Sequence, residues 1–184
     1  AYNKLDALAM LPMQSLSLAL TTFVGQNLGA GDLKRAKAGP RYGMIMGLIV
    51  TVIILVPMMV FAPQLTALFN GDADVIEFGT LFVRICSPFY IAFVINQVYS
   101  GALRGAGDTK NTMYIMLFSF VVFRQIYLFL TYRLAGTLLP VALGYPVGWI
   151  MCSAVLFFYY RSGKWVKNSF VVLPEQGKEK AAEP

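Results

Sequence analysis

The chain has 184 residues, 58% of them hydrophobic and only 13% charged, with fourteen Phe, nine Met, no His and a formal charge of +6. A soluble domain carries about a quarter charged residues, so this composition disfavours a water-bathed globule. With no His and no acid pair in the apolar stretches, the constellations that a membrane-embedded enzyme would need are missing too.

Five stretches almost free of charge follow one another, at about 7–29, 42–69, 78–103, 112–133 and 138–160, interrupted only by Arg84 and Arg124 and with Arg133 closing the fourth. About 20 apolar residues cross the hydrocarbon core as a helix, so each stretch is long enough. The expected fold is an all-α polytopic membrane protein with five transmembrane helices. Glycine punctuation separates the spans at Leu28–Asp32, Asn70–Asp72 and Gly105–Thr109. Residues 166–184 read as a polar, disordered tail. Cys86 and Cys152 sit in apolar runs without metal-ligand spacing and read as small core residues.

Lys and Arg set the orientation. One side receives Lys34, Arg35, Lys37, Arg41, Arg104, Lys110, Arg161, Lys164 and Lys167; the other receives Lys4 and Arg133. The nine-to-two split makes the first side, with the C-terminus, cytoplasmic. It also accounts for the net charge without nucleic acid, which would need a solvated basic face with stacking aromatics.

Polar groups within the spans are the candidate functional residues. Arg124 lies mid-span and cannot shed its proton. It must find acceptors, with Asn96, Gln97 or a backbone carbonyl as candidates, and acts either as a cavity-lining cation or as an interhelical clasp. Arg84 can snorkel to the outer interface. On the first span Asp6, Met10, Gln14, Ser17 and Thr21 share one face, which either lines an aqueous path or packs against another helix. Asp6 is the only carboxylate close to a span, and so the only coupling-ion candidate unless it merely pairs with Lys4 at the interface. Pro12, Pro57, Pro88 and Pro146 fall within spans and can bend them. Gly43/Gly47 and Gly144/Gly148 have the spacing of close helix packing.

Two strings go further. Pro12–Gly31 reads PMQSLSLALTTFVGQNLGAG, and Ser87–Thr109 reads SPFYIAFVINQVYSGALRGAGDT. Both resemble hallmark segments of the C-terminal lobe of MATE (multidrug and toxic compound extrusion) transporters. The resemblance covers about residues 1–161 and implies two six-helix lobes, of which this chain supplies spans eight to twelve and the missing N-terminal lobe is the partner. It implies a multi-pass protein of a cell membrane, bacterial inner membrane being the expected site. It implies export of cationic or amphipathic drugs in exchange for Na+ or H+ by alternating access, with no cofactor beyond the coupling ion. Met10, Met13, Gln14, Tyr90, Asn96, Gln97, Tyr99, Arg124 and Tyr127 are the expected cavity residues. Gln26, Asn27, Gly29, Gly31, Arg104, Gly105, Gly107, Asp108 and Thr109 form the expected cytoplasmic turns and gate. The third span departs from relatives that carry a membrane carboxylate there, since it offers only Asn96 and Gln97. A lipid-linked oligosaccharide flippase and a non-transporting structural subunit remain as alternatives.

Overall fold

The computed structural model describes residues 2–68, 72–135, 143–167 and 169, with the side chains of residues 2–6, 8, 132, 134, 135 and 167 left aside. Within the described residues the fold is all helical. Helix α1 covers Tyr2–Gly29, α2 Leu33–Val60 and the short α3 Ala62–Ala67. Helix α4 covers Ala73–Cys86 and passes through a 3-10 turn, Ser87–Phe89, into α5, Tyr90–Gly105. Helix α6 covers Thr109–Leu117; a π-helical turn, Phe118–Phe123, joins it to α7, Arg124–Ala135. Helix α8 covers Gly144–Arg161 and α9 Lys164–Lys167. Most of the expected tail, residues 69–71 and residues 136–142, which include the start of the fifth expected span, lie outside the described residues.

Among the described residues three helical segments are long and apolar enough to cross a membrane: Leu33–Val60, Ala73–Gly105 and Thr109–Thr131. Helix α1 is equally long at 28 residues, and from Ala7 to Gly29 it carries no charged residue. Helix α8 has only 18 residues, two of them Tyr beside a terminal Arg.

Helix α5 is the axis of the bundle, packing on α1, α2 and α8. At one end Met13, Leu20, Leu55, Val83, Val94 and Trp149 form a core, with Tyr90 and Phe93 tilted against the Trp149 ring at 5.4 and 5.5 Å between centroids. At the other end Val24, Leu28, Ala36, Leu103, Leu156 and Trp165 form a second. In contrast, α2 exposes Ile45, Ile49, Val52, Ile53 and Val56, the surface expected of a helix whose solvent is lipid rather than water.

The helix ends explain the glycines. At Gly31 (φ 77°) the Asp32 N–H donates to the Asn27 carbonyl at 2.9 Å, and the Gly31 N–H to Leu28 at 2.9 Å. At Gly107 (φ 85°) Asp108 donates to Leu103 and Gly107 to Arg104, both at 3.0 Å. Both are Schellman ends, which need a left-handed residue at one position only. The expected turns are therefore shorter than the strings suggested: Gln26, Asn27 and Gly29 belong to α1, and Arg104 and Gly105 to α5. Gly31→Ala and Gly107→Ala should each cost about 1–2 kcal/mol from the left-handed backbone alone, read as a lower melting temperature in detergent. Gly29→Ala should not, because nothing lies within 4 Å of its would-be Cβ.

Pro88 lies in the 3-10 turn that interrupts the Ala73–Gly105 span between α4 and α5. Pro146 sits in the first turn of α8, where a missing N–H costs nothing. The paired glycines make the close contacts expected of them: a Cβ on Gly43 would fall 2.6 Å from Leu20, on Gly47 2.7 Å from Val94, and on Gly144 3.0 Å from Leu128.

Candidate functional site

The closest backbone approach lies between α1 and α5. A Cβ on Gly101 would stand 2.5 Å from the Ser17 carbonyl oxygen, and one on Gly105 2.4 Å from that of Thr21. The contact lets side chains reach across. Ser17 Oγ donates to the Gln97 carbonyl at 2.7 Å, and Thr21 Oγ1 to that of Gly101 at 3.0 Å. Arg104 completes the seam: its Nη2 donates to Ser17 Oγ at 2.8 Å and its Nε to the Ser100 carbonyl at 3.3 Å. Two members of the polar face of α1 therefore serve helix packing. Gln14 is exposed, Met10 packs at the core edge, and Met13 is buried with its sulfur accepting from Thr51 Oγ1 at 3.4 Å. Asp6 belongs to α1, but its side chain lies outside those described.

A second cluster closes the turn between α5 and α6. Asp32 and Asp108 both follow a left-handed glycine and precede a helix. Asp32 caps its own helix, accepting from the Arg35 N–H at 2.8 Å. Asp108 does not cap α6 with its side chain. Its carboxylate is buried, accepts from Asn111 Nδ2 at 2.7 Å and also accepts from the Tyr159 hydroxyl on α8. Asn111 Nδ2 reaches Tyr159 Oη at 2.9 Å. Thr109 remains exposed at the start of α6. This carboxylate thus ties three helix ends together; it is not a solvated turn charge.

The remaining candidates do not gather into one cavity. Tyr90 is core, and Tyr99 packs edge-on to Phe157 and 5.0 Å from Tyr160. Asn96 and Gln97 are buried on α5, and Asn96 Nδ2 has no hydrogen-bond partner. Ser119, in the π-helical turn, is equally buried and its Oγ has none. The turn itself gave no sequence signal, although such turns recur at functional sites. Arg124 begins α7, about 22 Å along the helical path from Thr109. Rather than meeting Asn96 or Gln97, its guanidinium stacks 4.0 Å above the Tyr145 ring, with a buried Nε that has no partner. Tyr127 is half-buried one turn on, near the would-be Cβ of Gly144. Sequence reasoning missed Tyr145, whose partner is 21 positions away. Among the described residues no group of three or more His, Cys, Asp or Glu could hold a metal ion.

Apolar helices longer than the bilayer core, joined by tight turns and cross-linked through polar seams, define an all-helical membrane protein. Residues 1–130 match the family model MatE. The chain belongs to the MatE family. It is similar to the probable multidrug resistance protein NorM of Pasteurella multocida, 37% identical over 151 residues that cover 82% of this chain and 32% of the relative. The probable multidrug resistance protein NorM of Thermotoga maritima is 30% identical over 176 residues, 95% of this chain and 38% of the relative. The probable multidrug resistance protein YpnP of Bacillus subtilis is 30% identical over 165 residues, 90% and 37% respectively. The chain thus spans about a third of the length of these curated relatives. No solved structure matches it at a significant level.

Proposed function

We propose that the chain forms spans eight to twelve of a secondary antiporter that exports cationic or amphipathic drugs across a cell membrane, in exchange for Na+ or H+. One observation carries the reading: the two strings that resemble the family's hallmarks fold onto each other as the α1–α5 seam, with Ser17 and Arg104 as the link. The relatives' names, multidrug resistance proteins, supply the substrate class. In alternating access one lobe rocks against the other around a fixed site, which requires each lobe to move as a rigid body. The seam and the Asp108–Asn111–Tyr159 tie supply that rigidity here. The other lobe belongs to the same polypeptide, the basic turns and the C-terminus face the cytoplasm, and the bacterial inner membrane is the proposed location.

Asn96, Gln97, Arg124 and Tyr127 are the residues through which this half would meet substrate. Asn96 Nδ2, which adjoins the Cys152 thiol, and Arg124 Nε have no nitrogen or oxygen partner among the described residues. Asn96→Leu removes an unsatisfied buried donor, so the melting temperature should stay level or rise. Flux should fall about two- to twelve-fold if the amide donates one neutral hydrogen bond during transport. Stability loss with unchanged flux would place Asn96 in the packing alone. Coupling falls to Asp6 or to a carboxylate of the other lobe. Asp6→Asn separates these: gradient-independent leak assigns coupling to Asp6, and full coupling assigns it elsewhere.

The reading is tested by reconstituting the complete polypeptide in liposomes with a fluorescent organic cation and an imposed Na+ or H+ gradient. Gradient-driven efflux is expected, and none from this chain alone. Flux from this chain alone would contradict the two-lobe requirement.

A further inference from the structure

A groove of about 500 Å³ opens between α2, α5, α8 and the turn before α9, away from the seam and from Arg124. Three exposed cations, Lys37, Arg41 and Arg161, line it, and among the described residues no carboxylate does. Its wall is aromatic. Tyr160 and Trp165 stack with centroids 5.1 Å apart and planes 12° from parallel. The Trp165 Nε1 donates to the Tyr160 carbonyl at 3.1 Å, fixing α9 as one side. The Tyr160 hydroxyl is buried and has no hydrogen-bond partner. Along α2, Lys37 and Arg41 lie one turn apart, and Met44 and Ile45 follow on the same side at the next turn. One continuous face therefore passes from cationic to apolar, and from Ile45 it runs on into the exposed apolar surface at Ile49, Val52 and Ile53.

We propose that this groove binds an anionic phospholipid of the leaflet on the basic side of the membrane. The phosphate lies between Arg41 and Arg161, whose planar forks suit its oxygens. An acyl chain follows Met44 and Ile45 towards the bilayer centre, along the wall formed by the stacked Tyr160 and Trp165 rings. Charge complementarity selects the occupant. A zwitterionic lipid would bring its own cation against three more, and a soluble anion would leave the apolar end empty. The inference requires that the helices cross a membrane but not that the protein transports drugs.

The test uses the complete polypeptide in detergent, with native mass spectrometry of retained phosphatidylglycerol and phosphatidylcholine of identical acyl chains. Preferential retention of phosphatidylglycerol is expected. Each basic residue near a membrane surface contributes about a five-fold factor, so Arg41→Gln with Arg161→Gln should lower phosphatidylglycerol retention on the order of thirty-fold and leave phosphatidylcholine unchanged. Ile45→Trp, which fills the apolar end and leaves every charge in place, should lower it as well. Lys37→Gln should lower it about five-fold and carries the electrostatic arm if the double variant does not fold. Equal retention of both lipids, undiminished retention in folded variants, or displacement by inorganic phosphate alone would overturn the proposal.

Discussion

Gly105→Leu is expected to abolish the folded protein. The would-be Cβ at this position already falls 2.4 Å from the Thr21 carbonyl oxygen and 3.0 Å from the Thr21 Cα. These are backbone atoms, which cannot rotate away as a side chain tip can. The helices must separate, and separation breaks three cross-helix hydrogen bonds: Ser17 to Gln97, Thr21 to Gly101 and Arg104 to Ser17. Overpacking costs about 1–3 kcal/mol, each of the two neutral hydrogen bonds adds about 0.5–1.5 kcal/mol, and the charged Arg104 bond adds about 1.5–3 kcal/mol. In lipid no water-driven burial restores the contact, since acyl chains solvate the parted helices as well as each other. Fluorescence-detected size-exclusion profiles in mild detergent should show a monodisperse peak for wild type and Gly29→Ala, and aggregate for Gly105→Leu. Gly105→Ala should fall between, folded but melting lower. A monodisperse, unshifted Gly105→Leu protein would mean that α1 and α5 do not meet as closely as described.

Asp108→Ala should be the next most damaging change, and for a different reason. The side chain is 4% exposed, and a hydrogen bond to a charged group contributes about 1.5–3 kcal/mol. Removing the carboxylate takes away the Asn111 and Tyr159 contacts together. It leaves α8 untied from the start of α6. Asp108→Asn keeps the shape but puts an amide where the Tyr159 hydroxyl and Asn111 amide both need an acceptor. A double-mutant cycle between Asp108→Asn and Tyr159→Phe should therefore give a coupling of about 1.5–3 kcal/mol in thermal unfolding. Additive losses would show that the two side chains act independently.

The seam was half legible in the sequence. Ser17 and Thr21 stand at helical spacing in an apolar run, so one face of α1 had to meet something other than lipid. Gly101 and Gly105 were visible too, but only as part of a turn string, because left-handed glycine and close-packing glycine look alike in one dimension. The structure separates them: Gly107 carries the positive φ, whereas Gly105 carries the helix contact. Asp108 with Tyr159 was not legible, since 51 positions separate the partners and no local pattern encodes a contact across three helices. The same holds for Arg124 and Tyr145. The π-helical turn at Phe118–Phe123 packs against α8, and its Phe-Ser-Phe-Val-Val-Phe sequence would suit an α-helix equally well. Hydropathy was the most transferable signal, because the membrane imposes it on whole spans rather than on single residues.

The account depends above all on lipid surrounding these helices and on the chain changing sides at each span. Single cysteines at Lys37, Asp72, Lys110, Arg133 and Ser162 of the complete polypeptide, labelled in intact cells with a membrane-impermeant maleimide, test this directly. Cys86 and Cys152 are buried and should stay silent. Positions 72 and 133 should label from outside, and 37, 110 and 162 only after the membrane is opened. Labelling of all five in intact cells, or of none of the five after opening, would contradict it.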